Sequence, residues 1–351
     1  ISVMKKLLSV LLVFAIMAVG GAALAEGYEL ALVTDVGNID DQSFNQSSYE
    51  GMVAFAEENS LTYAYYRPSE DSDEARMEQI RTAVDKGAKV IILPGYLFAG
   101  SAAEGAVEFP DVNFIVIDTE PTGGNAANTV SILYQEEQAG FFAGYAAVKD
   151  GYTKLGFIGG MAVPAVIRYG QGFVQGADYA AQELGIDVDV KYWYCDSFAP
   201  SDDIKTKAAG WYTEGTEVIF ACGGGIYLSI VAAAEEGNGK VIGVDSDQGH
   251  VSDLVITSAM KDLPNSIKLA LTKLYANNGV WPEDMAGKTL NLGAADRCVG
   301  LPTAEASWRF NSFTVEEYEA LYQKILDGEI AIDAGIEAMP ATVKATVDEQ
   351  N

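Results

Sequence analysis

Histidine is almost missing from this chain: His250 is the sole one among 351 residues. Histidine-centred triads and sites holding a metal through several imidazoles therefore have little to draw on, and a lone histidine reads as a surface or capping residue. Cysteine is scarce as well. Cys195, Cys222 and Cys298 are odd in number, widely spaced and without a C-x-x-C pair, which excludes a disulfide framework and a thiolate zinc site. Cys195 and Cys222 each follow an expected strand, and the expectation is two buried free thiols rather than a disulfide between them. Positive charge is short: 22 Lys and Arg stand against 50 Asp and Glu, a net charge of −28. So acidic a chain repels phosphate backbones, so no nucleic-acid partner is expected. Neither G-x-S-x-G nor G-x-x-x-x-G-K-[ST] occurs, and Gly170, Gly172 and Gly176 miss the dinucleotide spacing by one residue. Asp245-Ser246-Asp247-Gln248-Gly249 opens like a calcium loop, but its twelfth position is Ile256 instead of Glu. No catalytic apparatus, metal site or cofactor site is visible.

One long apolar run is present, at the start. Residues 4–25 read as a secretory signal, with Lys5 and Lys6, an apolar stretch from Leu7 to Val19, and an A-x-A site at Ala23-Leu24-Ala25. The mature protein would begin near Glu26 outside the cytoplasm. No cysteine sits at the cleavage site, so a lipid anchor is not supported. The roughly 325 residues that would remain exceed one typical core and suggest two domains.

Apolar, β-rich runs alternate with amphipathic ones. Strands are expected at 28–34, 62–66, 89–93, 113–117 and 128–133, with helices at 44–59, 72–86, 99–108 and 135–149. The pattern then restarts, with strands at 154–158, 188–194, 217–221 and 240–244 and helices at 164–184, 202–214 and 226–236. This is the rhythm of an α/β protein with two doubly wound, parallel-sheet lobes. After 244 the rhythm changes: a strand-like core lies within 251–262, a helix at 264–278, short strands in 287–301, and a helix at 314–330 opened by a Thr314–Glu317 capping box. The expected division is 26–134 with 251–285 in one lobe, 135–250 with 286–330 in the other, and a C-terminal tail over 331–351 that is polar and unstructured from 340 on.

The loop TDVGNIDDQSFNQSSYEG, residues 34–51, follows the first strand and opens a helix, the place where open α/β sheets dock ligands. Acids, amides and a phenyl ring crowd it. Polar groups recur past other strands: Asp118, Asp196 with Phe198, Gly223-Gly224-Gly225, and Asp245. Any one such Asp is ordinarily a helix cap. Five strand ends in register across two lobes favour a shared cleft.

SFN at 43–45, FIVID at 114–118, LYQEEQAGFFAGYAA at 133–147, GGMAVPAVIRYGQGFVQGAD at 159–178, VIGVDSDQ at 241–248 and ITSAMKD at 256–262 together resemble the basic membrane protein family. These are solute-binding components of ABC importers, also called PnrA-like after a purine nucleoside receptor. The resemblance implies the type I periplasmic-binding fold, with two lobes joined by three crossovers. It implies a purine nucleoside as ligand (guanosine, inosine or adenosine), an ABC permease as partner, a monomer, and no reaction or cofactor. By the same resemblance Phe44 and Phe198 clamp the purine and Asn45 stands beside it. Asp118 reads the base, Asp245 and Lys261 hold the ribose, and Asp35 and Gly224 line the pocket. Tyr227 departs from the small residue common in relatives. The alternatives are a receptor for another sugar-like or signalling solute, a sensor partner without transport, and a secreted nucleoside hydrolase. The last would need a metal-binding cluster of aspartates near the ribose.

Overall fold

The structure is a computed structural model that describes residues 27–350; the expected leader lies outside these. Apolar, β-branched runs form the inner strands and are buried on both faces, as parallel sheets require. In chain order the first half holds β1 (Leu30–Val33), α1 (Phe44–Glu58), β2 (Tyr63–Tyr66), α2 (Asp73–Asp85), β3 (Val90–Pro94), α3 (Ala99–Glu108), β4 (Asn113–Ile117) and β5 (Thr129–Tyr134). Then come α4 (Glu136–Lys149), β6 (Lys154–Gly159), α5 (Pro164–Leu184), β7 (Val188–Tyr194), α6 (Asp202–Thr213), β8 (Val218–Cys222), α7 (Tyr227–Gly237) and β9 (Lys240–Asp245). The remainder is β10 (Val255–Lys261), α8 (Leu263–Ala276), β11 (Thr289–Leu292), β12 (Val299–Gly300), α9 (Val315–Leu326) and β13 (Ala345–Glu349).

Two sheets result, β11-β5-β4-β3-β1-β2 and β12-β10-β9-β8-β6-β7-β13. Among the described residues, only the β10–β12 pair is antiparallel. The expected α/β class with two doubly wound lobes is what forms. The chain passes between the sheets three times: from β5 into α4, from β10 into α8, and from β11 to β12.

The expected lobe boundaries after residue 250 need correction. The expected first lobe includes 255–261, but β10 extends the second sheet, pairing Ser258 with Gly243 and Met260 with Asp245. Its almost wholly buried run needs cover on both faces, which a place beside β9 supplies. Helix α8 then returns to the first lobe and packs on α1 so closely that a Cβ on Gly51 would sit 2.8 Å from Pro264 Cα. Strand β11, expected in the second lobe, joins the first sheet, with Leu290 opposite Ile132. The expected tail is also structured: β13 runs parallel to β7, with Ala345 opposite Val188. Asp178 Oδ1 holds its entry by accepting from the backbone N–H groups of Val343, Lys344 and Ala345 at 2.8, 2.6 and 2.8 Å.

The glycine run in α5 has a packing role. A Cβ on Gly172 or Gly176 would overlap the carbonyl oxygens of Glu137 and Phe141 on α4, and one on Gly140 or Gly144 would overlap those of Tyr169 and Phe173 on α5. The two helices therefore touch backbone to backbone, and this fixes the start of α4, where Glu136 lies, against α5.

Candidate functional site

A cavity of about 560 Å³ lies between the two sets of strand ends, within the range of small-molecule sites. In the first lobe its lining runs outward from the crossovers as Asp118 past β4, Gly95 and Tyr96 past β3, Asp35 past β1, and Arg67 past β2. In the second it runs as Lys261 on β10, Asp245 on β9, Gly223–Gly225 past β8, Met161 past β6, and Asp196 and Phe198 past β7. All eight residues singled out from the sequence, namely Asp35, Phe44, Asn45, Asp118, Phe198, Gly224, Asp245 and Lys261, line this one cavity.

Asp118, Asp196 and Asp245 leave their strands in left-handed backbone, with φ of 65°, 54° and 63°. Aspartate tolerates this conformation better than most residues. None of the three is the N-cap of a helix; among the helices after these strands that role falls to residues such as Ser201 on α6. Asp41 does serve a helix start, accepting from the N–H groups of Ser43, Asn45 and Gln46 at 2.9, 3.0 and 3.0 Å.

The end of the cavity nearest the crossovers is a buried charge cluster. Lys261 Nζ stands 2.5 Å from Asp118 Oδ2, 3.3 Å from Glu136 Oε1 and 3.8 Å from Asp245 Oδ1. The Phe44 ring lies over it, 4.9 Å away at the centroid. Glu136 is shared with Arg168, whose Nε is 2.7 Å from Oε2. Asp245 also accepts from Ser43 Oγ at 2.8 Å, across the lobes. Burial alone would push the Lys261 ammonium down; Asp118, Glu136 and Asp245 reverse this and hold it above its ordinary value. Burial pushes the Asp118 carboxyl up to about 7, with Lys261 pulling against it and Glu136 adding to it. Asp245 is raised too, by burial opposed by Lys261 and Ser43. Three carboxylates share this ammonium, so the cluster favours proton donors.

The outer part is different. Asp35 Oδ1 accepts from Gly37 N–H at 2.7 Å and from Asn45 Nδ2 at 2.9 Å, and burial pushes Asp35 up to about 6. The Phe198 ring rests where glycines leave room: a Cβ on Gly160 would lie 2.5 Å from the ring, one on Gly223 3.0 Å from it, and one on Gly224 3.1 Å from Phe198 Cβ. Gly223, at φ 153°, and Gly224, at φ 49°, have backbones suited to glycine. Two cavity-lining acceptors are buried without any partner, Asp118 Oδ1 and Asn45 Oδ1. Each such buried, unpaired acceptor costs roughly 1–3 kcal/mol.

Beside the cavity the lobes also meet at Gln42, itself at φ 56°. Its carbonyl accepts from Ser246 Oγ at 2.8 Å and Gln248 Nε2 at 3.1 Å, and its side-chain oxygen meets His250 Nε2 at 2.6 Å. His250 is thus an exposed surface residue, as expected, but one that bridges the lobes. The three cysteines are free, with Cys222 buried on the cavity wall and Cys195 only half-buried. Sequence reasoning missed Glu136, Arg168 and Arg67. The one available signal was the pair Glu136-Glu137 opening an otherwise apolar helix.

The family model for the PnrA-like ABC transporter substrate-binding protein matches residues 28–335. Among curated proteins, the chain is 30% identical over 261 residues to the ABC transporter nucleoside-binding protein BmpA of Lactococcus lactis, covering 68% of this chain and 72% of that one. It is 30% identical over 324 residues to basic membrane protein A of Borreliella burgdorferi, covering 90% and 91%. Among solved structures, an ABC transporter solute-binding protein from Aeropyrum pernix superposes with a TM-score of 0.75 at 22% identity, over 88% of this chain and 94% of that one. The arabinose-binding protein AraP from Geobacillus stearothermophilus does so with a TM-score of 0.59 at 13% identity, over 81% and 99%. At these identities the structural matches speak for the fold, that of type I periplasmic-binding proteins. Through a family match spanning nearly all of its described residues, the chain belongs to the PnrA-like substrate-binding proteins of ABC transporters, the basic membrane protein family.

Proposed function

We propose that this protein captures a purine nucleoside outside the cytoplasm and hands it to an ABC permease, without catalysing a reaction. The observation that carries the reading is the pairing of two environments in one cavity. Phe44 and Phe198 approach from opposite lobes, and the crossover end holds Asp118, Asp245 and Lys261. A flat base suits the rings, and stacking is worth about 1–3 kcal/mol per base. Paired ribose hydroxyls suit carboxylates that only accept and an ammonium that only donates.

In this reading Asp118 moves from the base edge to the sugar. It is bonded to Lys261 and stands next to Asp245 in the same cluster, so it belongs with the groups that hold the ribose. The base edge falls to Asp35 and Asn45. Asp245, Lys261 and Asp118 grip the sugar, and the lobes close by rotation about the crossovers. The printed name of the Lactococcus relative, a nucleoside-binding protein, supports the same ligand class. An exported location agrees with the signal-like residues 4–25, and among the described residues no helix is long and apolar enough to cross a membrane.

The test is to denature the purified protein and identify the released small molecule by mass spectrometry, then to follow melting temperature with added solutes. A ligand that binds only the native state adds about 2.7 kcal/mol at a hundredfold excess over Kd. Guanosine, inosine and adenosine should each raise the melting temperature, and free ribose should do little. A shift with a simple sugar and none with any nucleoside would overturn the assignment.

A further inference from the structure

The wall of the cavity is one-sided in charge. Six aspartates line it, Asp35, Asp40, Asp41, Asp118, Asp196 and Asp245, against two cations, Lys261 and Arg67. A cleft between low-dielectric walls focuses such a field. Lys261 does not balance it, because Asp118, Glu136 and Asp245 all bear on that one ammonium. Arg67 is exposed, so water and salt screen its charge.

The surplus reaches both ends. Asp118 follows β4 and Arg67 follows β2, three strands apart in the first sheet; at about 4.8 Å per strand this separates them by about 14 Å. Arg67 is thus remote from the crossover end. The outer end sets Asp35, Asp40, Asp41 and Asp196 against Arg67 alone. Burial lifts Asp35 to about 6, and even with it protonated three carboxylates face one guanidinium. Asp41 also takes up donors that an anion would need. It accepts from the N–H groups of Ser43, Asn45 and Gln46 at the start of α1, the kind of groups with which a helix start holds phosphate.

The same wall already houses a cation among rings and carboxylates. Lys261 Nζ lies 4.9, 5.3 and 5.6 Å from the ring centroids of Phe44, Tyr134 and Tyr169. Ring faces attract a cation most strongly where water is displaced. At the outer end Phe198 offers a further ring, two residues after Asp196 and on the same wall.

Resting on the nucleoside reading above, we propose that the cavity sorts purine nucleosides by charge: a positively charged base, such as a 7-alkylated guanine, binds ahead of a neutral one, and a nucleoside 5′-phosphate is refused. In that reading the base lies at the outer end, where a cationic ring meets Phe198 and the surplus aspartates. The sugar lies at the crossover end, where a phosphate would join three carboxylates that already share one ammonium.

The test is titration calorimetry at pH 6 with matched pairs, alongside guanosine. It uses the full protein, freed of endogenous ligand by unfolding and refolding. 7-Methylguanosine, a cation at that pH, is compared with 7-methyl-7-deazaguanosine, which has the same shape and no charge. Guanosine 5′-phosphate is compared with 5′-O-sulfamoylguanosine, whose tetrahedral group is neutral. The cation should bind about tenfold tighter than its neutral twin, and the phosphate at least about tenfold more weakly than its own. Both ratios should shrink as salt is raised. Asp196 is exposed and sits at φ 54°, a backbone that asparagine also adopts, so Asp196→Asn should fold and lower the first ratio. Equal affinities within either pair, whether tight or undetectable, would overturn the sorting by charge, and guanosine binding in the same series would leave the nucleoside reading intact. Failure of guanosine and of every other compound to bind would overturn both.

Discussion

Lys261 Nζ and Asp118 Oδ2 form a buried ion pair at 2.5 Å that joins the two lobes, Lys261 ending β10 of one sheet and Asp118 following β4 of the other. The ammonium is also the shared partner of Glu136 and Asp245. Removing one member of a buried pair costs about 3–5 kcal/mol because the remaining charges are left uncompensated. Lys261→Met should therefore lower the unfolding free energy of the ligand-free protein by about that much, read from urea denaturation. Asp118→Asn, which relieves a crowded carboxylate, should cost far less. Equal effects of the two substitutions would contradict the cluster as described.

The rings admit a cleaner separation of binding from folding. Phe198 is only partly buried, and Phe198→Ala should weaken guanosine, inosine and adenosine by similar factors. The loss should be about 1–3 kcal/mol, because stacking tolerates any base. If Phe198 were simply a core residue, the variant would melt earlier and keep its affinity. Calorimetric titration of the folded variant decides.

Stability and affinity should respond to pH with opposite signs. Asp118 and Asp35 are held up to about 7 and about 6 in the folded protein, against about 4 in an unfolded chain. The folded state thus holds more protons between those values, and stability falls as pH rises through them. The groups bearing on Asp118 are Lys261, Glu136 and Asp245, and those on Asp35 are Asp41 and Arg76. The ligand-free protein should denature at lower urea at pH 8 than at pH 5, and Asp118→Asn should flatten that slope. Nucleoside affinity should rise over the same interval, since donors on base and sugar prefer ionised carboxylates. A stability that climbs with pH in the wild-type protein would contradict the assignment.

Gln42 offers a test of closure itself. Its backbone is left-handed and its side chain reaches His250 on the other lobe, so Gln42→Gly removes the contact without straining the chain. One hydrogen bond is worth about 0.5–1.5 kcal/mol. All ligands should therefore dissociate faster by a common factor, and small-angle scattering should show a larger ligand-free particle. His250→Ala should behave alike. A change in ligand ranking would instead place Gln42 on the ligand.

The alternation of strand and helix made both lobes legible, and strand-end chemistry together with the family resemblance picked out eight residues that line one cavity. What failed was assignment where local pattern says nothing about partners. The runs at 255–261 and 289–292 read as strands, yet only burial and pairing place β10 beside β9 and β11 beside β5. Residues 345–349 are mostly polar, as an edge strand can be, and their anchor is Asp178, more than 160 residues away in the chain. Glu136 escaped notice because its partner Lys261 is 125 residues away in the chain, and Arg168 because it reaches Glu136 only where α5 packs on α4.

The three crossovers limit how the molecule can move. A single connection would let one lobe swivel, twist or slide against the other; three side by side leave essentially one rotation. Two of those connections begin or end on charged groups of the cluster: Lys261 closes β10 and Glu136 opens α4, 3.3 Å apart. The solute's sugar would therefore dock against the pivot while its base lies towards the free edges, like an object gripped from the root of a pair of tongs. Small changes at the root become large displacements at the rim, so a permease sensing only the rim could tell a loaded receptor from an empty one without touching the cargo.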